Sequence, residues 1–369
     1  MRVKKIFFTS IFIILIAALA FMIYSFNSSS NLGLQAVAHA PISIRESDKI
    51  FFYKGGFAVS GEYTNFFDGE GDQSESPFKF QDENQENFVI TAMTSNYIML
   101  NGNTIYEIND MSLSQVYSLG SLAIGMKEFD EYLLIIWENE NGLKLNYLDV
   151  ENGTLSEFGF DQSFYYMDAH SHKADSLLSV LTLDIDGFFP SSKILHYDKS
   201  LALYGITTVT DQVFYRIFRY PSSFLLIGNQ ELVCYNMEGE LKWEVENKSV
   251  RGFQVAENNK GLLVYLGSSI KTDHKDEKFN GLYIDGNGES SNVQLPTQLS
   301  KLSPYKDGFL GLQYGKKLLT FNREGKIQEE YFIDDDIKDI VWNPHHPNSF
   351  FVTRQDNTLQ IYSTKQEEK

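Results

Sequence analysis

Short apolar stretches alternate with polar turns along the chain after about residue 40. The stretches end at clusters of Gly, Asn, Asp, Ser or Pro, which accept the dihedral angles of turns. The segments 133–136 and 262–265 are continuously apolar, which is typical of strands buried on both faces. Segment 143–147 alternates between apolar and polar residues, as a half-buried strand does. No segment after residue 27 keeps the 3.6-residue period of an amphipathic helix, and the pattern therefore predicts an all-β fold.

The same phrase recurs along the chain: an apolar stretch, an aromatic residue, an Asp or Asn at a turn, and a short strand. Successive turn residues are 37 to 49 positions apart. A period of about 42 residues is that of one four-stranded propeller blade, so the repeat predicts a β-propeller. The turn residues are Asp68, Asn109, Asp149, Asp198, Asn236, Asp285, Asn322 and, at the end of the series, Ser363.

Eight turn residues predict eight blades within residues 41–365, followed by a polar tail at 366–369. Insertions at 184–193 and 271–280 explain the two longest intervals. Seven blades is the alternative, because 48–68 is the least regular repeat and would then be a hairpin at the closure. The last repeat supplies only three strands, and we expect residues 41–45 to supply the fourth. Such closure matters because open sheet edges invite aggregation.

Two repeats contain short motifs found in propeller families. In the last repeat, an apolar strand ends in Trp342-Asn343-Pro344 and is followed by two more strands at 349–352 and 359–362. This phrase resembles a WD40-type blade. Segment 236–243 is similar to the blade segment of quinoprotein-type propellers, which ends in a docking tryptophan. The chain has three tryptophans, too few for one in every blade. Over about residues 42–363 the resemblance implies a propeller, and no cofactor or activity is carried over.

The first 40 residues differ in character from the rest. Residues 6–26 are uncharged, and a helix of that length spans about 31 Å, enough for the hydrocarbon core of a bilayer. Arg2, Lys4 and Lys5 precede it, and no Lys or Arg follows before Arg45. Because basic residues favour the cytoplasmic side, we predict a cytoplasmic segment at 1–5, a single transmembrane helix at 6–26 and an extracytoplasmic propeller. Residues 27–40 are predicted to be a flexible tether.

A cleaved signal peptide is the alternative for this segment. Ala38-His39-Ala40 has the small-x-small form of a cleavage site. However, the apolar run exceeds the ~7–15 residues of a signal core, and the site lies well beyond its end. Pro41 directly after the site is also a poor context for cleavage. The sequence therefore favours an uncleaved anchor in the cell membrane.

The net charge and the cysteine content limit the possible binding partners and the cellular location of the protein. The formal net charge is −18, which repels phosphates and excludes a nucleic-acid partner. The same acidity repels anionic lipid headgroups, so the domain is expected to stand off the membrane. Cys234 is the single cysteine, and no internal disulfide can form. An exported domain that depends on its core alone is more typical of a large bacterial surface protein than of a small secreted one.

Asp168, His170 and His172 are the candidate metal ligands. Side chains at i, i+2 and i+4 of a strand point to one face, so a carboxylate and two imidazoles could meet one divalent cation. The first strands of propeller blades line the central channel, which would make this a pocket. The alternative is a polar strand end with solvated histidines.

Alternating carboxylates at 68–72 and at 285–289 resemble the spacing of calcium loops. In the first of them, Gln73 and Lys79 stand where the helix–loop–helix calcium site has Gly and Glu. Both segments also fall at the repeated turn, where Asp, Asn and Gly are expected for backbone reasons. The spacing therefore favours turns over calcium sites.

The chain contains no nucleophile elbow, phosphate-binding glycine loop or zinc-protease signature. We therefore predict a non-enzymatic, membrane-tethered, extracytoplasmic module that binds a protein or glycan partner, without a resident cofactor. The alternative is an extracytoplasmic hydrolase or lyase acting on cell-wall sugars or lactones, with a divalent metal in the channel. A quinone-dependent dehydrogenase is disfavoured by the missing repeated tryptophans.

Overall fold

The computed structural model describes residues 34–36, 41–80, 88–139, 142–158, 164–172, 177–185, 188–246, 253–272, 275–296, 298–313, 316–333, 337–345 and 348–364. Within these ranges the chain forms 34 strands and no helix, which confirms the predicted all-β class. The strands form eight sheets. Each sheet is one blade, built mainly from consecutive strands that pair antiparallel. The exceptions are the short strand Lys79–Phe80, which pairs parallel with the outer strand Ser112–Ser118, and the N-terminal strands, which pair with the last strand.

The first two strands belong to the last blade, and the next four blades follow in chain order. The two early strands are β1 (Leu34–Ala36) and β2 (Ile42–Ser43). Blade 1 contains β3 (Lys49–Tyr53), β4 (Gly56–Ser60), β5 (Thr64–Asp68) and β6 (Gln73–Ser74). Blade 2 contains β7 (Lys79–Phe80), β8 (Ile90–Met93), β9 (Tyr97–Leu100), β10 (Thr104–Asn109) and β11 (Ser112–Ser118). Blade 3 contains β12 (Ala123–Phe129), β13 (Tyr132–Asn139), β14 (Gly142–Asp149) and β15 (Thr154–Glu157). Blade 4 contains β16 (Tyr165–His172), β17 (Leu177–Asp184), β18 (Ser191–Tyr197) and β19 (Leu203–Thr210).

The second half of the chain repeats this arrangement. Blade 5 contains β20 (Phe214–Arg219), β21 (Ser223–Gly228), β22 (Glu231–Asn236) and β23 (Leu241–Glu246). Blade 6 contains β24 (Gln254–Asn258), β25 (Gly261–Thr272), β26 (Lys275–Asp285) and β27 (Ser290–Val293). Blade 7 contains β28 (Leu299–Tyr305), β29 (Gly308–Gln313), β30 (Lys317–Phe321) and β31 (Ile327–Phe332). Blade 8 contains β32 (Ile337–Trp342), β33 (Ser349–Arg354) and β34 (Thr358–Thr364), joined by β1 and β2.

The blade count confirms the prediction of eight. Segment 48–68 is not a hairpin at the closure, because its strands pair with β6 in a sheet of their own. The alternative of seven blades is therefore wrong. Segment 48–68 forms three strands of five residues each, and the outer strand of this blade has two residues.

The ring closes through the N-terminal strands. Ile42 pairs with Leu359 on β34, as predicted for residues 41–45. At the other end of β34, Leu34 pairs with Thr364, so part of the segment predicted as a tether is a strand. The predicted transmembrane helix at 6–26, the rest of the tether and the tail at 366–369 lie outside the described residues.

A search of the described ranges finds no helix long and apolar enough to span a bilayer.

The recurring turn residue is explained by backbone hydrogen bonds. In blade 6, Asp285 Oδ1 accepts hydrogen bonds from the backbone N–H groups of Asn287 (2.9 Å) and Glu289 (3.0 Å). Gly288, at φ +84°, donates its N–H to the Asp285 carbonyl oxygen. The turn needs a side-chain oxygen that accepts the backbone N–H four residues later, and Asp and Asn both provide one. The same bond to the N–H four residues on is made by Asp68, Asp198, Asn236 and Asn322.

The core is divided into eight apolar clusters, and each lies between two neighbouring blades. One of them joins blade 8 to blade 1 through Phe57, Phe351 and Ile361. Because a single blade leaves both faces of its sheet uncovered, each one is stabilised only by packing against its neighbours. The eighth cluster shows that the ring is complete.

Candidate binding face

The strand that begins the antiparallel ladder of each blade, which is β8 in blade 2 and β32 in blade 8, lies at the centre of the ring. First strands of successive blades contact one another, as β16 does with β20 and β24 with β28. Lys49 on β3 reaches two further blades, donating to the carbonyl oxygens of Thr91 (3.1 Å) and Ile124 (3.4 Å). Side chains on these strands can therefore link blades that are not adjacent in sequence.

Asp168 on β16 connects three blades. Its Oδ1 lies 2.6 Å from Lys127 Nζ in blade 3. Its Oδ2 accepts a hydrogen bond of 3.1 Å from the backbone N–H of Ile217 in blade 5. The carboxylate is largely buried, and both of its oxygens are occupied by these partners.

His170 and His172 lie further along the same strand and also reach other blades. His170 Nδ1 accepts the backbone N–H of Arg219 (3.0 Å), so its Nε2 carries a proton and donates to Glu257 Oε1 (3.0 Å) in blade 6. His172 Nε2 lies 3.2 Å from the carbonyl oxygen of Gly286.

The three predicted ligands thus share a strand but contact separate partners. Among the residues that the structure describes, no group of three or more His, Cys, Asp or Glu side chains is arranged to hold a metal ion. What the three side chains of β16 do in this arrangement is tie blade 4 to blades 3, 5 and 6.

We expect Asp168→Ala to lower the free energy of unfolding by about 1–3 kcal/mol, because it leaves the Ile217 N–H without its acceptor and breaks the Lys127 ion pair. Urea denaturation of the variant measures the loss. Asp307→Ala is the matched control: it removes an ion pair to Lys260 whose two side chains are mostly exposed, and exposed pairs contribute about 0–1 kcal/mol. Equal losses in the two variants would contradict the linking role of Asp168.

The loops at one end of the ring carry exposed apolar residues. Strands alternate in direction within a blade, so the loops between second and third strands lie at the same end as the connections from one blade to the next. We refer to this end as the connection face. Among the described loop residues at this end, six large apolar side chains are exposed: Tyr63, Leu122, Ile185, Phe188, Phe189 and Val213.

Four of these side chains share one corner of blade 4. Ile185, Phe188 and Phe189 lie in the loop between β17 and β18, and Val213 lies in the connection that leaves the blade. Ser192 Oγ donates to the Gln212 carbonyl oxygen (3.0 Å), which holds the two segments together. We refer to these four residues as the blade 4 corner.

The two phenylalanines are the most prominent part of the corner. Phe188 is 99% exposed and Phe189 is 62% exposed, and their ring centroids are 5.6 Å apart. Isolated exposed apolar residues are common, whereas contiguous ones mark interaction sites. The corner is therefore the strongest candidate for a binding surface on the connection face.

The base of this loop is firmly held. Asp184 pairs with Ser191 across β17 and β18. Lys193 Nζ lies 2.7 Å from Asp184 Oδ2 in a mostly buried ion pair, and it also lies over the Phe164 ring at 3.8 Å. The phenylalanines are thus presented on a fixed support.

Sequence reasoning treated 184–193 as an insertion that lengthens a repeat and did not identify the corner. The available signal was the Phe188-Phe189 pair between Gly187 and Pro190. Two adjacent aromatic residues within a turn context cannot both point into a sheet core.

Comparisons with known proteins identify the fold. The sequence matches no protein-family profile and no curated protein. Among solved structures, Sqt1 from Saccharomyces cerevisiae has a TM-score of 0.55 at 10% identity, covering 90% of this chain and 100% of that one. The computationally designed Ika8 protein has a TM-score of 0.51 at 10% identity, covering 89% and 99%. The WD40 domain of Neurospora crassa Pan2 has a TM-score of 0.46 at 9% identity, covering 92% and 96%. At such identities the likeness to Sqt1 and Ika8 concerns the fold alone. The eight blades of the ring confirm the resemblance to propeller repeat proteins at the level of architecture.

Proposed function

We propose that this chain is a membrane-tethered, extracytoplasmic β-propeller that binds a protein partner through its connection face. The observation that carries the proposal is the exposure of Phe188 beside Phe189 on the blade 4 corner. Aromatic side chains are enriched among the residues that dominate binding energy in protein interfaces.

The support beneath the corner favours binding. Ordering a mobile loop on association costs free energy. Here the Asp184–Lys193 ion pair and the β17–β18 ladder already fix the base of the loop. A propeller that displays loops on a rigid ring is a common binding scaffold.

The composition of the corner favours a protein over a glycan. Ile185 and Val213 add aliphatic surface to the two aromatic rings. The buried centre of a protein interface is mostly apolar, whereas sugar recognition also requires polar groups close to the aromatic ring.

The tethered, extracytoplasmic setting rests on the sequence. The uncharged segment 6–26 follows Arg2, Lys4 and Lys5. If it spans the membrane, seven residues separate it from β1, which pairs at the rim of blade 8. Seven extended residues span at most about 25 Å, so the ring would stay within that distance of the bilayer while its acidity repels anionic headgroups.

The test is affinity capture of the tagged full chain from solubilised membranes, with and without Phe188→Ser plus Phe189→Ser. We expect the double variant to retain less than about one tenth of the partner, since each aromatic anchor contributes about 2 kcal/mol or more. Its free energy of unfolding should stay within about 0.5 kcal/mol of the original, because both side chains are exposed.

Leu241→Ser is the control, because Leu241 is exposed at the opposite end of the ring and lies in a different blade. Equal capture by the double variant and the control would overturn the proposal. Capture of a polysaccharide in place of a protein would also overturn it. Recovery of the chain outside the membrane fraction would overturn the membrane tether.

A further inference from the structure

The outer strand of blade 4, β19, is an open sheet edge without charge. It is the last strand of its sheet, it has eight residues, and its sequence is Leu-Tyr-Gly-Ile-Thr-Thr-Val-Thr. Leu203, Tyr204 and Ile206 are 41%, 51% and 57% exposed. Such a strand presents unpaired N–H and C=O groups and is a template for pairing with another strand.

The other outer strands are short, charged or partly covered by another strand, whereas β19 is none of these. Soluble proteins protect open edges with short strands, with charged residues or with covering segments. Among the described strands, β6, β15 and β27 have at most four residues, and β34 pairs with β1 and β2. Strand β11 is covered by β7 only at Ser112 and Leu113, which leaves an uncharged edge of five residues, shorter than the eight of β19. The two remaining outer strands carry charged residues, which are Lys242, Glu244 and Glu246 on β23 and Glu329 and Glu330 on β31.

We propose that β19 pairs antiparallel with β19 of a second copy of this chain, across a twofold axis, to form one continuous eight-stranded sheet. The inference is independent of the proposed function, because it concerns the rim of the ring and leaves the connection face free. Closed twofold dimers are the commonest symmetric assemblies.

Charge is the reason for choosing a second copy as the occupant. In an antiparallel pair about a twofold axis, the central charged residues of a strand come to lie opposite the same charges. The carboxylates of Glu244 on β23 or of Glu329 and Glu330 on β31 would face themselves in this way. With a formal net charge of −18 per chain, two copies can approach closely only where the facing surfaces are uncharged. Strand β19 meets this requirement over its whole length.

The side chains of β19 also suit such a ladder. Residues 204, 206, 208 and 210 share the exposed face of the strand. Thr207, on the other face, lies 3.3 Å from His196 within the ring. Cross-strand pairs of aromatic and β-branched residues stabilise a sheet by about 0.2–1 kcal/mol each. When β19 pairs with β19 of the second copy, Tyr204, Ile206 and Thr208 lie opposite aromatic or β-branched residues of that strand.

Single cysteines along β19 test the pairing in the full chain. Cys234 is the single native cysteine and is buried, so an introduced cysteine is the only accessible thiol. Disulfides require Cα atoms within about 7 Å. Moving two residues from the twofold axis separates the two copies of a position by about 13 Å along the strands. Among Tyr204→Cys, Ile206→Cys, Thr208→Cys and Thr210→Cys, oxidation should give a dimer band that peaks at one or two adjacent positions and falls at least fivefold beyond them.

Ile327→Cys, at an exposed position on the outer strand of blade 7, is the matched control. The proposal would be overturned if the yield of disulfide-linked dimer were the same at all four positions of β19. It would also be overturned if that yield were no greater than the yield for Ile327→Cys. So would cross-linking to a product of another mass, which would identify a different partner strand.

Light scattering of the detergent-solubilised chain provides a second readout. The molar mass should be that of a dimer, and Ile206→Lys should weaken association at least tenfold by placing like charges beside the axis. Ile327→Lys should leave the dimer intact. A monomeric chain at all concentrations would refute the inference.

Discussion

Replacing Phe351 by alanine is expected to lower the free energy of unfolding by about 3–5 kcal/mol. Phe351 on β33 is 1% exposed, and its ring centroid lies 4.9 Å from that of Phe52 and 4.7 Å from that of Phe57. Both partners belong to blade 1, so the truncation opens a cavity at the seam between the last blade and the first. Urea denaturation followed by tryptophan fluorescence measures the loss.

Phe332→Ala is the matched control for that experiment, because Phe332 is 61% exposed on the rim. The same chemical change there should cost less than about 0.5 kcal/mol. A loss below about 1 kcal/mol for Phe351→Ala would show that the seam does not stabilise the ring.

We also expect acid to destabilise the fold through His196. This side chain is 1% exposed, and its Nδ1 lies 2.9 Å from Ser179 Oγ. Burial, with a smaller contribution from the charge of Arg219, lowers the pKa of His196 from 6.5 to about 4. Between these values the unfolded chain binds a proton that the folded chain does not. Stability therefore falls as the pH drops below about 6.5, by about 3 kcal/mol in total, and the effect ends below about pH 4.

The measurement is the free energy of unfolding from pH 7.5 to pH 4, for the original chain and for His196→Gln. Glutamine retains a hydrogen-bonding group toward Ser179 but does not titrate. The carboxylates contribute equally to both proteins, so the difference between the two curves isolates the histidine. Parallel curves would contradict the assignment.

The architecture was predictable because its signal is short-range. Five of the predicted turn residues accept the backbone N–H four residues later, as Asp198 does from Ala202. Such a requirement restricts the residue to Asp or Asn and leaves a visible period of about 42 residues. The closing strand was also predictable. The last repeat supplies only three strands, and Ile42 and Ile44 give residues 41–45 the apolar alternation of a fourth.

The candidate site was less predictable because its contacts join distant blades. The spacing of Asp168, His170 and His172 placed them on one strand, but it contained no information about their partners. His170 meets Glu257, which is 87 residues away, and Asp168 meets Lys127, which is 41 residues away. The rotation between neighbouring sheets decides these contacts, and no local pattern encodes it.

A glycine signal in the repeats was also missed. Gly56 and Gly308 each begin the second strand of a blade, and a Cβ atom at either position would lie 2.0 or 2.2 Å from the carbonyl oxygen of Phe67 or Phe321. Only glycine allows the third strand to approach this closely. In these blades glycine marks the start of the second strand, whereas the second strands of other blades begin with residues such as Tyr97 or Ser223.

The shared last blade also sets the order in which the chain can fold. Leu359 on β34 must find Ile42, more than three hundred residues earlier, and pairings of such long sequence separation form late and slowly. Blades 1 to 7 contain only local strand neighbours and can assemble while synthesis proceeds. The N-terminal strands, in contrast, wait until the final residues emerge. The nascent protein therefore spends most of its synthesis as an open arc with two unpaired ends.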